Sequence, residues 1–176
     1  MSSASSHPAA VRGWWRWLAV SAAVVIADQL SKLAVLSSLT PGAQRTVTSF
    51  FSIVLTFNAG AAFSFLGDAA GWQRYLFSAI AVGAAAVIVW LLRRGGHRMY
   101  CWGLSLILGG ALGNLWDRAT IGKVVDFLLF HDFLPGRPAV LAWLDPFPAF
   151  NLADSAITIG AGLLILDSLR ARSKAS

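Results

Sequence analysis

Tyr75 to Leu92, read as YLFSAIAVGAAAVIVWLL, holds no charged side chain and is followed at once by Arg93, Arg94 and Arg98. A helix rises 1.5 Å per residue, so a run of this length crosses most of a ~30 Å hydrocarbon core. In lipid only helices and closed barrels satisfy their own backbone polar groups. The run therefore commits the chain to the membrane as a helix. Three other segments share its character: Trp17 to Ala27, resuming after Asp28 and Lys32 as LAVL, then Met99 to Trp116, and Phe150 to Leu166. The predicted spans are about 14–36, 73–92, 99–117 and 150–168. The first opening also suits a secretory signal peptide, but no A-x-A site follows cleanly and the apolar run continues past Lys32.

The chain is 57% hydrophobic and 12% charged, where a soluble domain is about 25% charged. Its net charge of +6 is gathered in short Lys/Arg clusters beside the apolar runs, with no aromatic-interleaved basic groove, so it sets topology and does not indicate a nucleic-acid partner. The N-terminus, the 93–98 loop and the Arg170, Arg172, Lys174 end are thereby placed on the cytoplasmic side. Cys101 is the sole cysteine, and His7, His97 and His131 are scattered, so neither a disulfide nor a metal or other cofactor is expected. Residues 1–11 are expected as a disordered cytoplasmic tail, 12–170 as one membrane-embedded domain, and 171–176 as a second cytoplasmic tail.

On the outer face, Val47 to Phe57 alternates with Thr48 to Asn58 in a period-2 pattern rich in β-branched and aromatic residues, which predicts a strand ending at Asn58-Ala59-Gly60. It belongs to a small sheet resting on the membrane surface. The segment HDFLPGRPAVLAWLDPFPAF suits a surface loop with a short interfacial helix around Ala139 to Leu144, able to act as a lid. The predicted fold class is an all-α membrane protein of four transmembrane helices with this extracytoplasmic sheet.

Carboxyls kept at a membrane edge usually have work to do, since a charge at the centre of a span costs roughly 2.5–3.5 kcal/mol on insertion scales. Asp126 follows the stretch GGALGNLWDRATIGKVV, and Asp154 sits in FNLADSAITIG at the head of the last span. Both lie at the outer edge, where two carboxyls can do acid/base work. Taken singly, Asp154 could simply cap a helix and Asp126 could be a solvated loop residue. Asp28 and Lys32 are spaced i, i+4 for an ion pair that either neutralises itself or holds a polar substrate or a catalytic loop. Asn114, Asp117 and Arg118 share a helix face fit to bind a lipid phosphate or orient a carboxyl. Gly109, Gly110 and Gly113 allow a close helix approach, and Asn151 shares a face with Asp154.

The motifs Asp28-x-x-x-Lys32, Asn58-x-Gly60, Gly109-Gly110-x-x-Gly113-Asn114-x-x-Asp117-Arg118, Val125-Asp126-Phe127 and Phe150-Asn151-x-Ala153-Asp154 resemble, in order and spacing, those of lipoprotein signal peptidases (signal peptidase II). The resemblance runs from the first helix to the last. It implies an aspartic endopeptidase of the bacterial inner membrane that removes signal peptides from diacylglyceryl-modified prolipoproteins, cleaving before the lipidated cysteine. It implies a catalytic dyad of Asp126 and Asp154, with supporting positions at Asp28, Lys32, Asn58, Gly110, Asn114, Arg118, Asn151 and Ala153. It further implies a β-cradle for the outer sheet, a periplasmic active site, contact with membrane lipid and inhibition by cyclic peptides of the globomycin type. Phe147-Pro148 stands where many relatives have Trp-Pro, and the 131–148 loop is longer than usual.

Two rival functions fit the residues less well. A Ser/Lys peptidase needs a serine held against a lysine, and Ser31 points to a different helix face from Lys32. A small proton-coupled transporter could use Asp28, Asp126 and Asp154 as relays, but its carboxyls would more often sit near the midplane.

Overall fold

A computed structural model describes residues 13–59, 71–133, 136 and 145–173. Gly60 and the expected interfacial helix at 139–144 lie outside the described residues. Four long helices carry the chain: α1 (Trp15–Ser38), α2 (Gln73–Arg94), α3 (Arg98–Thr120) and α4 (Leu152–Ser173). Three strands, β1 (Gln44–Thr48), β2 (Phe51–Asn58) and β3 (Val124–Phe130), form one antiparallel sheet in the order β1-β2-β3.

The first helix is built inside out relative to a helix of a soluble bundle. On α1 the buried residues are Ser21, Asp28, Lys32 and Val35, a single stripe, while Trp15, Ile26, Leu30 and Leu33 are exposed. Polar atoms face protein and apolar ones face the surroundings, as a lipid solvent requires. Among the described residues three helices, α1, α2 and α4, are long and apolar enough to cross a membrane. The fourth, α3, is of similar length and packs against each of the other three. That central place shelters Ser105, Asn114 and Asp117 from lipid, so α3 tolerates a polarity that the outer helices could not.

Small residues set the helix spacing. A Cβ on Gly110 would run into the carbonyl oxygen of Ala153 on α4, and one on Gly113 would lie 2.7 Å from Asp28 Oδ2. At the other end, Ile88, Leu92, Cys101, Leu104 and Leu108 form an apolar core between α2 and α3. A second cluster of Val35, Leu55, Val125 and Phe127 seats the sheet on the C-terminal end of α1.

The sheet differs from expectation in two ways. The alternation from Val47 to Asn58 is not one strand: the chain turns at Ser49-Phe50, and Arg45 pairs with Ile53. The run VVDFLLF, for which no strand is predicted from the sequence, is β3, which pairs with β2. Its first four residues are all buried, so it shows no alternation of apolar and polar side chains to reveal a strand. Between β2 and β3 the register slips, with Ile53 opposite Leu128 but Thr56 opposite Asp126, a bulge of the kind that re-aims a neighbouring side chain. Phe150 closes the far side of β3 by a bridge to Leu128, and α4 begins at Leu152, two residues after the predicted start of the span.

Candidate active site

Asp126 is delivered by β3, and with 2% of its surface exposed it is no solvated loop residue. Along a strand successive side chains alternate, so Asp126 points away from the Val125 and Phe127 cluster. Asn151 Nδ2 donates to its Oδ1 at 2.8 Å, and the side chain of Asn58 on β2 also hydrogen-bonds it. Burial raises its pKa from 3.8 to about 7, and the nearby Asp154 charge adds to the rise. The bonds from Asn58 and Asn151 and the Lys32 charge pull the other way without reversing it.

Asp154 lies in the first turn of α4. Its backbone N–H donates to Asn151 Oδ1 at 2.9 Å, and its Oδ2 accepts from Asn151 N at 3.3 Å. This reciprocal pattern is a capping box, in which two end N–H groups are satisfied by each other's side chains. The capping role anticipated for Asp154 is therefore present. It uses Oδ2, while Oδ1 accepts from Asn114 Nδ2 at 2.7 Å. Asn114 Oδ1 in turn accepts from Asn151 Nδ2 at 3.1 Å and from Lys32 Nζ at 3.2 Å. Two buried amides thus tie the carboxyls of β3 and α4 into one network.

Behind the amides lies a buried ion cluster. Lys32 Nζ sits 2.7 Å from Asp28 Oδ2 and 2.8 Å from Asp117 Oδ2. Asp28 also accepts from the backbone N–H of Ala153 at 3.0 Å, and Asp117 from that of Val125 at 3.1 Å. Gln29 Nε2 donates to Asp117 Oδ1 at 2.9 Å and to Asp28 Oδ2 at 3.1 Å. Asp28 and Lys32 are therefore not a self-neutralising pair, and both are buried, at 0% and 2% exposure. Asp117 faces this cluster, so the shared face of Asn114, Asp117 and Arg118 is not a single lipid-phosphate site.

Arg118 Nη1 donates to Asn114 O at 3.4 Å, and its guanidinium lies 5.4 Å from the Phe77 ring centroid. It is close enough to interact electrostatically with Asp154, Asp117 and Asp126. Among the described residues its buried Nε has no hydrogen-bond partner. Gly110 contributes no side chain, which is what lets Ala153 and α4 approach.

Sequence reasoning missed Gln29 and left Asp117 without its partner. Helix spacing identifies residues on one face but not the neighbour that face meets. A second polar relay was also missed. Ser52 Oγ lies 2.8 Å from His131 Nε2, and His131 Nδ1 lies 2.8 Å from Asp132 Oδ2. The order is that of a serine triad, but Ser52 is fully buried and accepts a bond from Gln44 Nε2 at 2.9 Å. Its oxygen has no access to a substrate, so the relay braces the sheet. Ser31, for its part, donates to Asp28 O at 2.7 Å and leaves Lys32 to the carboxylates.

Residues 20–170 match the family described as Signal peptidase (SPase) II. A lipoprotein signal peptidase of Burkholderia cenocepacia is 56% identical over 155 residues, covering 88% of this chain and 87% of its own length. That of Burkholderia multivorans is 57% identical over the same length. A bacterial membrane enzyme solved by the in meso method at 2.3 Å resolution superposes with a TM-score of 0.77 at 29% identity, covering 97% of this chain and 96% of the other. A second, at 1.9 Å resolution, gives 0.74 at 28% identity, covering 93% and 98%.

Proposed function

The chain belongs to the signal peptidase II family, and from that premise we propose that it cleaves by an aspartic mechanism in which Asp126 and Asp154 are the reacting groups. The protein removes signal peptides from prolipoproteins, as its lipoprotein signal peptidase relatives do. A transporter reading has no support from these relatives.

The observation that carries the aspartic reading is the asymmetry of the two acids. Asp126 is buried, with a pKa raised to about 7, and Asp154 is half-buried beside Asn114. With its pKa raised to about 7, Asp126 keeps a share of its proton near neutral pH and supplies the acid, while Asp154 supplies the base. Asp154 takes a proton from water as that water's oxygen bonds to the scissile carbonyl carbon. Asp126 gives its proton to the carbonyl oxygen, leaving a neutral gem-diol. Asp154 then protonates the amide nitrogen, and Asp126 recovers a proton from the diol as the C–N bond breaks. The cycle consumes one water and restores both acids, without a covalent intermediate.

The finer substrate reading is a diacylglyceryl-modified prolipoprotein cut before its lipidated cysteine. In this reading the protein lies in the bacterial inner membrane with both termini cytoplasmic and the dyad at the periplasmic edge. The acyl chains and the signal helix arrive through lipid, and a globomycin-type cyclic peptide competes with them. Incubating purified protein in detergent with lipidated and unlipidated forms of one prolipoprotein tests this. Cleavage confined to the lipidated form and blocked by the cyclic peptide is expected. Cleavage of both forms alike would overturn the lipid requirement.

A further inference from the structure

We infer that Asp117 and Asp28 are paired positioning residues that set the spacing of the two reacting aspartates, each gripping the backbone one residue before its own aspartate, with Lys32 locking the pair together. The inference rests on the assignment of Asp126 and Asp154 as the reacting groups.

The geometry is symmetrical in its logic. Asp117 Oδ2 accepts from the N–H of Val125, the residue before Asp126, at 3.1 Å. Asp28 Oδ1 accepts from the N–H of Ala153, the residue before Asp154, at 3.0 Å. The two acceptors come from α3 and α1, and one ammonium joins them at 2.8 and 2.7 Å. Gln29 bonds the same two carboxylates from the side. All three ionic residues are buried, so the contacts are not loosened by water, and each carboxylate has several donors to hold its rotamer. Lys32 itself has three partners, Asp28, Asp117 and Asn114, which satisfies the three donors of an ammonium.

A strand and the start of the helix that follows it are thereby referred to one fixed point. Positioned charge-assisted bonds to backbone donors are short and directional. Chemistry that relies on two acids sharing a substrate loses rate steeply when their placement shifts by about 1 Å. The ion cluster therefore acts on the rate and on the electrostatic coupling of the dyad, and not on contact with the substrate.

Asp117 offers the clean test, because Asp117→Asn keeps an oxygen that faces the two donors, Val125 N–H and Lys32, whereas Asp117→Leu removes it. The full-length protein, assayed in detergent on a lipidated prolipoprotein from pH 4 to 9 with Asp126→Asn as control, should give three results. Asp117→Leu should lower kcat by about 100-fold with KM within about twofold. It should also change the separation of the two limbs of the pH–rate profile, which reports coupling between the acids. Asp117→Asn should recover at least about tenfold of the lost rate and the wild-type limb separation. If Asp117→Leu does not fold, Asp117→Asn alone decides: wild-type limb separation supports the inference, and an altered one overturns it. A folded Asp117→Leu with wild-type kcat and limbs, beside an inactive Asp126→Asn, overturns the positioning role alone. An active Asp126→Asn overturns the dyad assignment and this inference with it.

Discussion

Asn151 Nδ2 stands 2.8 Å from Asp126 Oδ1, so the residue that caps α4 spends its donor end on the neighbouring strand. Its oxygen meanwhile holds the N–H of Asp154 at 2.9 Å. One buried amide has an end on each acid, and its removal should have two separable effects.

Asn151→Ala loses a helix cap, which costs about 0.5–2 kcal/mol. It also removes a bond that favours the ionised form of Asp126, so the pKa of Asp126 should climb above about 7. Loss of the Asp126 proton ends activity on the alkaline side, and the alkaline limb of the pH–rate profile should therefore move upward. A profile measured for the folded variant checks this, and a limb that stays put or moves down would contradict the acid role of Asp126.

Asp126→Asn and Asp154→Asn should each lower turnover by at least about 100-fold, the contribution of a positioned acid or base. The double variant should lose little more, since groups acting as a unit fail together. Cleavage of a lipidated prolipoprotein by wild type, both singles and the double measures it. Near-normal turnover in either folded single variant would remove that residue from the dyad.

The same Asp126→Asn variant carries a stability prediction. The pKa of Asp126 is raised in the folded state, from 3.8 to about 7. The folded protein therefore holds a proton that the unfolded chain releases. The associated stability is present below pH ~4 and is lost as pH rises through about 7. At ~1.36 kcal/mol per unit the loss is at most roughly 4 kcal/mol. Asparagine does not ionise, so Asp126→Asn should gain thermal stability relative to wild type at pH 8 compared with pH 4.5. Equal differences in melting temperature at both pH values would argue that Asp126 is not destabilised by ionising in place.

Gly110→Ala places a methyl against the Ala153 carbonyl oxygen. Overpacking of this kind costs about 1–3 kcal/mol, and the strain falls where α3 meets the start of α4. Activity should fall more steeply than melting temperature, because Asn114 and Asp154 are separated by the same displacement. Unchanged turnover in Gly110→Ala would show that the helices can part without disturbing the dyad.

For topology, the clusters Arg93, Arg94, Arg98 and Arg170, Arg172 predict that reporters fused at Gly96 and after Ser176 lie in the cytoplasm, and one at Leu66 outside. An outward signal at Gly96 would overturn the orientation.

The apolar runs made the helices legible, because lipid demands their length and composition from sequence alone. Asp126 and Asp154 stood out because acids beside such runs are costly. The hairpin was hidden because Ser49-Phe50 carries neither the glycine nor the asparagine that marks a tight turn, so the period-2 pattern ran on through it. The strand character of VVDFLLF was hidden by burial on both faces. The bond of Asp117 to Val125, and the way Lys32 joins two helices, depend on which faces meet, and periodicity within one helix carries no record of that.

The slipped register between Ile53 and Thr56 makes the length of β2 a property of the active site. A one-residue slip turns a strand's side chains to its other face. Deleting either Val54 or Leu55 would take out the extra residue, leaving Ile53 opposite Leu128 and Thr56 opposite Asp126 but straightening the strand beside the site, whereas inserting a residue between Thr56 and Asn58 would turn Asn58 to the other face and away from Asp126. The site can accept changes of side chain along this strand more readily than a change in the number of residues, so insertions and deletions, rather than substitutions, are the edits that would most readily separate folding from cleavage here.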